Sequence, residues 1–216
     1  MNAIRQILTN HPLIPVVTLH RLEWALPLVE TLEHAGIHIL ELTLRTDTAW
    51  DAISLIKEKF PHFCVGAATV LEAKQFERLQ DSPIDYIGSP AVTELVLQSV
   101  SHCRLPYLPA AGTLAEILWL SEQGFDTLKF YPAHIMGGVN ALQHFEAVFP
   151  QIRFCVSGGV GAETALEYLQ LSNVNWVAGS WLVLQKDLQD QDWQNIAQKV
   201  QKLQSSLQNL RKWQSP

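Results

Sequence analysis

Thr127-Leu128-Lys129-Phe130-Tyr131-Pro132-Ala133 places one lysine inside a short apolar and aromatic run that a proline closes. Such a run reads as a β-strand, with the proline ending it. Side chains alternate on a strand, so Thr127, Lys129 and Tyr131 share one face and Leu128 and Phe130 the other. An amine among apolar neighbours has its charged form disfavoured, which predicts a lowered pKa and a free nucleophilic lone pair. That chemistry suits a Schiff-base lysine. The plain alternative is a strand-end lysine whose ammonium snorkels to water. Behind the strand come a Gly137-Gly138 loop and a helix over about 139–148, so the stretch is one strand–helix unit.

The same unit recurs along the chain. Leu13–Leu19 is a near-continuous apolar run, as expected of a strand buried on both faces. Strands are predicted at 39–44, 63–69, 86–90, 107–110, 153–157 and 175–180. Helices are predicted at 23–35, 48–59, 72–80, 93–101, 113–123 and 162–170, with Gly36 and Gly124 as C-terminal stops. Pro27 falls in the first turn of its helix, where proline is tolerated. A short amphipathic helix opens the chain at 3–9. A polar linker, 184–192, leads to a C-terminal amphipathic helix across about 192–212.

Eight strands alternating with helices imply a parallel sheet, and eight units in 216 residues fit a TIM (β/α)8 barrel. An open doubly wound sheet is the alternative, since closure leaves no mark in the sequence. No linker divides the chain, so residues 1–216 are read as one domain. A formal charge of −6 argues against nucleic acid as a partner. Three cysteines without C-x-x-C spacing suggest neither a disulfide framework nor a zinc cluster. No signal-peptide or membrane-spanning run appears, and a cytoplasmic location is expected.

In a TIM barrel chemistry sits at the C-terminal ends of the strands. Those ends carry Glu41, Thr43, Arg45, Thr69, Ser89, Pro90, Lys129, Ser157, Gly158, Gly159, Gly179 and Ser180. Glu41, Thr43 and Arg45 share strand parity and are expected to face the barrel axis together. A carboxylate there is costly unless paired. It reads either as a structural ion pair with Lys129 or Arg45 or as a general acid/base beside an amine nucleophile. Arg45 offers a planar fork for a carboxylate, with the Thr69 hydroxyl nearby. Gly158-Gly159 and Gly179-Ser180 end the last two strands, where the fold usually binds phosphate; each alone reads equally as a turn. Gly159-Val160-Gly161 does not complete G-x-G-x-x-G, because Thr164 holds the last position. The histidines show no ligand spacing: His34 and His38 are separated by Gly36, and only His134, just past the lysine strand, stands near the site.

Glu41-Leu42-Thr43-Leu44-Arg45-Thr46, Gly66-Ala67-Ala68-Thr69-Val70-Leu71, Lys129-Phe130-Tyr131-Pro132-Ala133 and Gly179-Ser180-Trp181-Leu182 together resemble the bacterial KDPG aldolases. These are the 2-keto-3-deoxy-6-phosphogluconate / 2-keto-4-hydroxyglutarate aldolases of the Entner–Doudoroff pathway. The similarity runs in order from about Pro15 to Leu182. The resemblance implies a class I aldolase on a TIM barrel, a homotrimer that needs no cofactor and no metal. Its partners would be a phosphorylated keto-acid substrate and pyruvate, with no nucleic acid and no membrane. It implies that Lys129 forms the Schiff base and Glu41 shuttles protons. Arg45 and Thr69 would hold the pyruvate carboxylate. Ser157, Gly158, Gly159, Gly179 and Ser180 would form the phosphate pocket, with Pro90 and Tyr131 in the substrate-pocket wall.

The chain also departs from the family pattern. Ala68 and Ala91 stand where the family usually has glycine, Ser157 where it has threonine, Tyr131 where it has phenylalanine and His134 where it has glutamate. An extra methyl is worth a contact of about 1–3 kcal/mol, so these positions bear on substrate preference, not on reaction class. The galactonate epimer, a phosphate-binding isomerase without an imine, and a non-catalytic phosphometabolite sensor are the alternative readings.

Overall fold

The computed structural model describes residues 3–208. Eight parallel strands close into a barrel in sequence order, β1 pairing with β8 as well as with β2. The strands are β1 (Leu13–Val17), β2 (Ile39–Thr43), β3 (Cys64–Ala68), β4 (Tyr86–Ser89), β5 (Tyr107–Ala111), β6 (Thr127–Phe130), β7 (Arg153–Ser157) and β8 (Val174–Gly179). Closure removes the open-sheet alternative. The strands are buried on both faces, which is why their sequences run nearly continuously apolar.

The helices are α1 (Ala3–Leu8), α2 (Ala25–His34), α3 (Thr48–Lys59), α4 (Ala73–Gln80), α5 (Glu94–His102), α6 (Leu114–Glu122), α7 (Gly138–Val148), α8 (Ala162–Leu169), α9 (Gln185–Gln189) and α10 (Trp193–Gln208). Their boundaries follow local chemistry. At the start of α6, Thr113 accepts from the Glu116 N–H while Glu116 accepts from the N–H groups of Gly112 and Thr113, satisfying donors the helix leaves unpaired. At the end of α2, Gly36 takes φ +84° and Ile37 donates to the Leu32 carbonyl.

Phe130, on the outer face of β6, meets Phe145 of α7 edge-to-face with centroids 5.5 Å apart. Below the strands, α1 buries Ile4 and Leu8, accepts the Trp176 indole N–H at the Leu8 carbonyl, and ties Arg5 to Asp126 and Thr127 at the start of β6. The opposite, C-terminal mouth is left open.

The sequence-predicted linker at 184–192 is corrected: α9 occupies Gln185–Gln189. Its buried Asp187 accepts from the Leu184 N–H, Asn195 and Lys199, so partners from α10 hold the turn that polar composition disguised. Of the C-terminal helix expected across 192–212, the part beyond Gln208 lies outside the described residues.

Candidate active site

The inner wall of the barrel is built in register rows. Val16, Glu41, Gly66 and Tyr86 are cross-strand partners on β1 to β4, and Ala110, Lys129, Cys155 and Trp176 on β5 to β8. From opposite walls Lys129 and Glu41 meet in the barrel interior. Lys129 Nζ donates to Glu41 Oε1 at 2.8 Å and to Oε2 at 2.6 Å, with the two side chains 7% and 0% exposed.

This contact reverses one expectation. Burial pushes the Lys129 amine down, as predicted, but the Glu41 carboxylate against it outweighs burial and leaves its pKa above the ordinary value. At rest Lys129 is an ammonium held in an ion pair. Burial pushes the neighbouring Cys155 thiol up to about 12, so it stays protonated beside the pair.

Two connected spaces open above the pair. A small inner cavity of about 50 Å3 is lined by Glu41, Lys129, Thr43, Arg45, Thr69, Pro90, Tyr131 and Ser157, among others. An outer cavity of about 750 Å3 shares Thr43, Arg45, Tyr131 and Ser157 and continues to Gly158, Gly159, Gly179 and Ser180. Of the strand-end residues singled out in the sequence, all but Ser89 line one space or the other; Ser89 is buried and donates to the Val70 carbonyl at 2.6 Å. The shared residues make a funnel that runs from the ion pair to the glycine pairs.

Each wall has a local cause. Arg45 stands past the end of β2 in the mouth, where no ion pair engages it among the described residues. Thr69 follows β3 at φ +65°, a conformation strained for a β-branched residue and a common mark of functional sites. Gly158 has φ +92°, and a Cβ there would sit 2.8 Å from Pro132 Cα, so backbone crowding as well as torsion demands glycine. At Gly88 an added Cβ would lie 3.4 Å from Lys129 Nζ, so the missing side chain leaves open space beside the amine. Tyr131 lies just past the end of β6 yet still lines both spaces. His134 is exposed and packs its Cβ side against Gly159, outside both linings.

Three contributors were not foreseen. Tyr86, fully buried, donates to Glu41 Oε1 at 3.2 Å. Thr18 shares a 2.7 Å hydrogen bond with Thr43 and lines the outer cavity. Gln185, from α9, donates to the Thr18 carbonyl and lines the same wall. Strand parity carries a signal for Tyr86, which shares its face with Gly88 and Pro90; Gln185 sat inside the supposed linker. Among the described residues no cluster of His, Cys, Asp or Glu is arranged to hold a metal, and no helix is long and apolar enough to cross a membrane.

Comparison with known proteins converges on one group. The 2-dehydro-3-deoxy-phosphogluconate aldolase of Dickeya dadantii is 38% identical over 191 residues, covering 88% of this chain and 90% of that one. Among solved structures, the KDPG aldolase of Legionella pneumophila, with pyruvate captured at low pH as a covalent carbinolamine intermediate, superposes with a TM-score of 0.88 at 34% identity. It covers 91% of this chain and 96% of that one. The 2-keto-3-deoxy-6-phosphogluconate aldolase of Zymomonas mobilis with 3-phosphoglycerate gives 0.86 at 32% identity, covering 93% and 94%. The family model described as KDPG and KHG aldolase matches residues 4–199. The chain belongs to the KDPG and KHG aldolase family of carbon–carbon lyases.

Proposed function

We propose that the protein is a class I aldolase that cleaves 2-keto-3-deoxy-6-phosphogluconate to pyruvate and glyceraldehyde 3-phosphate, through an imine on Lys129. The observation that carries this reading is the buried Lys129–Glu41 pair at the base of an open funnel. Burying an ion pair stabilises a fold poorly compared with apolar packing, so its place beneath a cavity favours chemistry over structure.

The geometry supports a balanced sequence of steps. Glu41 Oε2, 2.6 Å from Nζ, takes a proton from the ammonium and leaves a neutral amine. The amine adds to the keto carbon, one N–H proton passes to the new alkoxide to give the carbinolamine, and the Glu41 acid returns its proton to the carbinolamine hydroxyl, which leaves as water. In the resulting iminium, Glu41 accepts the proton of the C4 hydroxyl. The C3–C4 electron pair then flows into the iminium, giving an enamine and releasing the aldehyde. Protonation at C3 and hydrolysis return pyruvate and the amine. Arg45 and Thr69 hold the carboxylate, Pro90 and Tyr131 wall the pocket, and the Ser157-Gly158-Gly159 and Gly179-Ser180 backbone, together with the Ser180 hydroxyl, receives the phosphate.

The solved relatives support the two ends of this assignment, one holding pyruvate as a carbinolamine and one holding 3-phosphoglycerate. A coupled assay of pyruvate release tests it, run on the gluconate and galactonate phosphates and on 2-keto-4-hydroxyglutarate. Turnover of the gluconate phosphate is the expected result; release from the galactonate epimer alone would reassign the substrate. Assembly as a homotrimer and a cytoplasmic location, both implied by the resemblance, belong to the same proposal, with light scattering and cell fractionation as their tests.

A further inference from the structure

Tyr86 takes no part in the steps above, yet its hydroxyl touches the group that moves their protons. On β4 it is two strands away from Glu41 on β2, and the strand between them carries Gly66 in the same register row. A Cβ on Gly66 would lie 2.3 Å from the Tyr86 ring, so the ring crosses the space that glycine leaves empty. The hydroxyl then reaches Glu41 Oε1 at 3.2 Å. A carboxylate only accepts, so Tyr86 is the donor.

The two Glu41 oxygens are therefore unlike. Among the described residues, Oε1 receives Tyr86 and Lys129, and Oε2 receives Lys129 alone, by the shorter bond. We propose that Tyr86 is a positioning residue that holds Glu41 through Oε1 and so assigns proton transfer to Oε2. This rests on the imine reading of the site. An ammonium has three N–H groups and an iminium one, so Lys129 cannot keep both bonds to Glu41 once the imine forms. The terminal torsion of a glutamate is soft, and a carboxyl that loses a donor is free to turn. Tyr86 is not consumed in the reaction and keeps its bond throughout. Burial first, and then the facing Glu41 charge, push its hydroxyl well above the usual tyrosine range, so it holds its proton and does not compete as an acid. The other titratable groups facing the pair are Cys64 and Cys155, both raised to about 12, and Tyr131.

Tyr86→Phe keeps the ring and removes only the bond. At saturating pyruvate the borohydride-trapped adduct on Lys129 is expected to match wild type. Exchange of the pyruvate methyl protons with solvent, which requires the carboxyl to move a proton, should fall about tenfold or more. Gly66→Ala, which forces the ring off Glu41 but keeps its hydroxyl, should produce the same split. A wild-type exchange rate in Tyr86→Phe would overturn the proposal, as would trapping and exchange that fall in equal measure. Absence of an adduct in the wild-type control would instead overturn the imine reading itself.

Discussion

Lys129 and Glu41, 88 residues apart in the chain, are joined by two hydrogen bonds of 2.6 and 2.8 Å inside a barrel that neither strand closes alone. Burial and the facing carboxylate act on the amine in opposite directions, and the carboxylate prevails. In the proposed mechanism the nucleophile is thus stored as an ammonium with its proton acceptor already in contact. The base proposed to activate the amine and the charge that restrains it are the same group.

Glu41→Gln separates those roles. Loss of the proton carrier should lower kcat by about 100-fold to 10,000-fold. With the counter-charge gone, burial remains the dominant influence, and it lowers the amine. Lys129 should therefore lose its proton at lower pH in the variant than in wild type. An NMR titration of isotope-labelled lysine reads this; a resonance that titrates no lower would contradict the competition described here.

Ser180 tests the phosphate end. Ser180→Ala should raise KM for the phosphorylated substrate by about tenfold to 100-fold, the worth of one hydrogen bond to a charged group, with kcat little changed. Cleavage of unphosphorylated 2-keto-4-hydroxyglutarate should be unaffected. Equal effects on both substrates would remove Ser180 from phosphate binding.

Thr69 holds a left-handed backbone that a β-branched residue adopts at a cost. Thr69→Gly should relieve strain and raise stability by about 1 kcal/mol, while loss of the hydroxyl weakens pyruvate binding. Thermal unfolding and pyruvate titration check the pair of effects. A variant that is less stable, or binds pyruvate as well, would show that the strain serves no ligand.

Asp187 carries a pH-dependent share of stability. Burial raises its carboxyl, but the bonds from Lys199, Leu184 and Asn195 outweigh burial and hold it below its ordinary 3.8. A depressed carboxyl contributes fully above the unfolded-state value and loses its contribution as pH falls through the folded one. Asp187→Asn should therefore cost about 1–3 kcal/mol near neutrality, shrinking below about pH 4. Chemical denaturation across that range measures the gap; a constant gap would mean lost packing instead of lost charge.

Much of this was legible in the sequence because the signals are local. Leu13–Val17 and Arg153–Ser157 announce buried strands by composition, and Gly36 and Gly124 announce helix ends by their freedom at positive φ. The twelve strand-end candidates follow from knowing which end of a barrel strand carries chemistry. The net direction at Lys129 was not legible, because it depends on how closely Glu41 approaches once β2 and β6 are brought across a closed barrel. Tyr86 was hidden because its role needs a glycine on the strand between. Residues 185–189 read as linker because the partners that hold Asp187 come from the following helix.

In the proposed mechanism everything depends on a covalent bond to Lys129. Borohydride reduction in the presence of pyruvate, followed by peptide mass spectrometry, reads that bond. A stable adduct is expected on Lys129 in the wild-type protein and none in Lys129→Arg, which keeps the charge but cannot form the imine. No adduct, or an adduct on any other lysine, would contradict it.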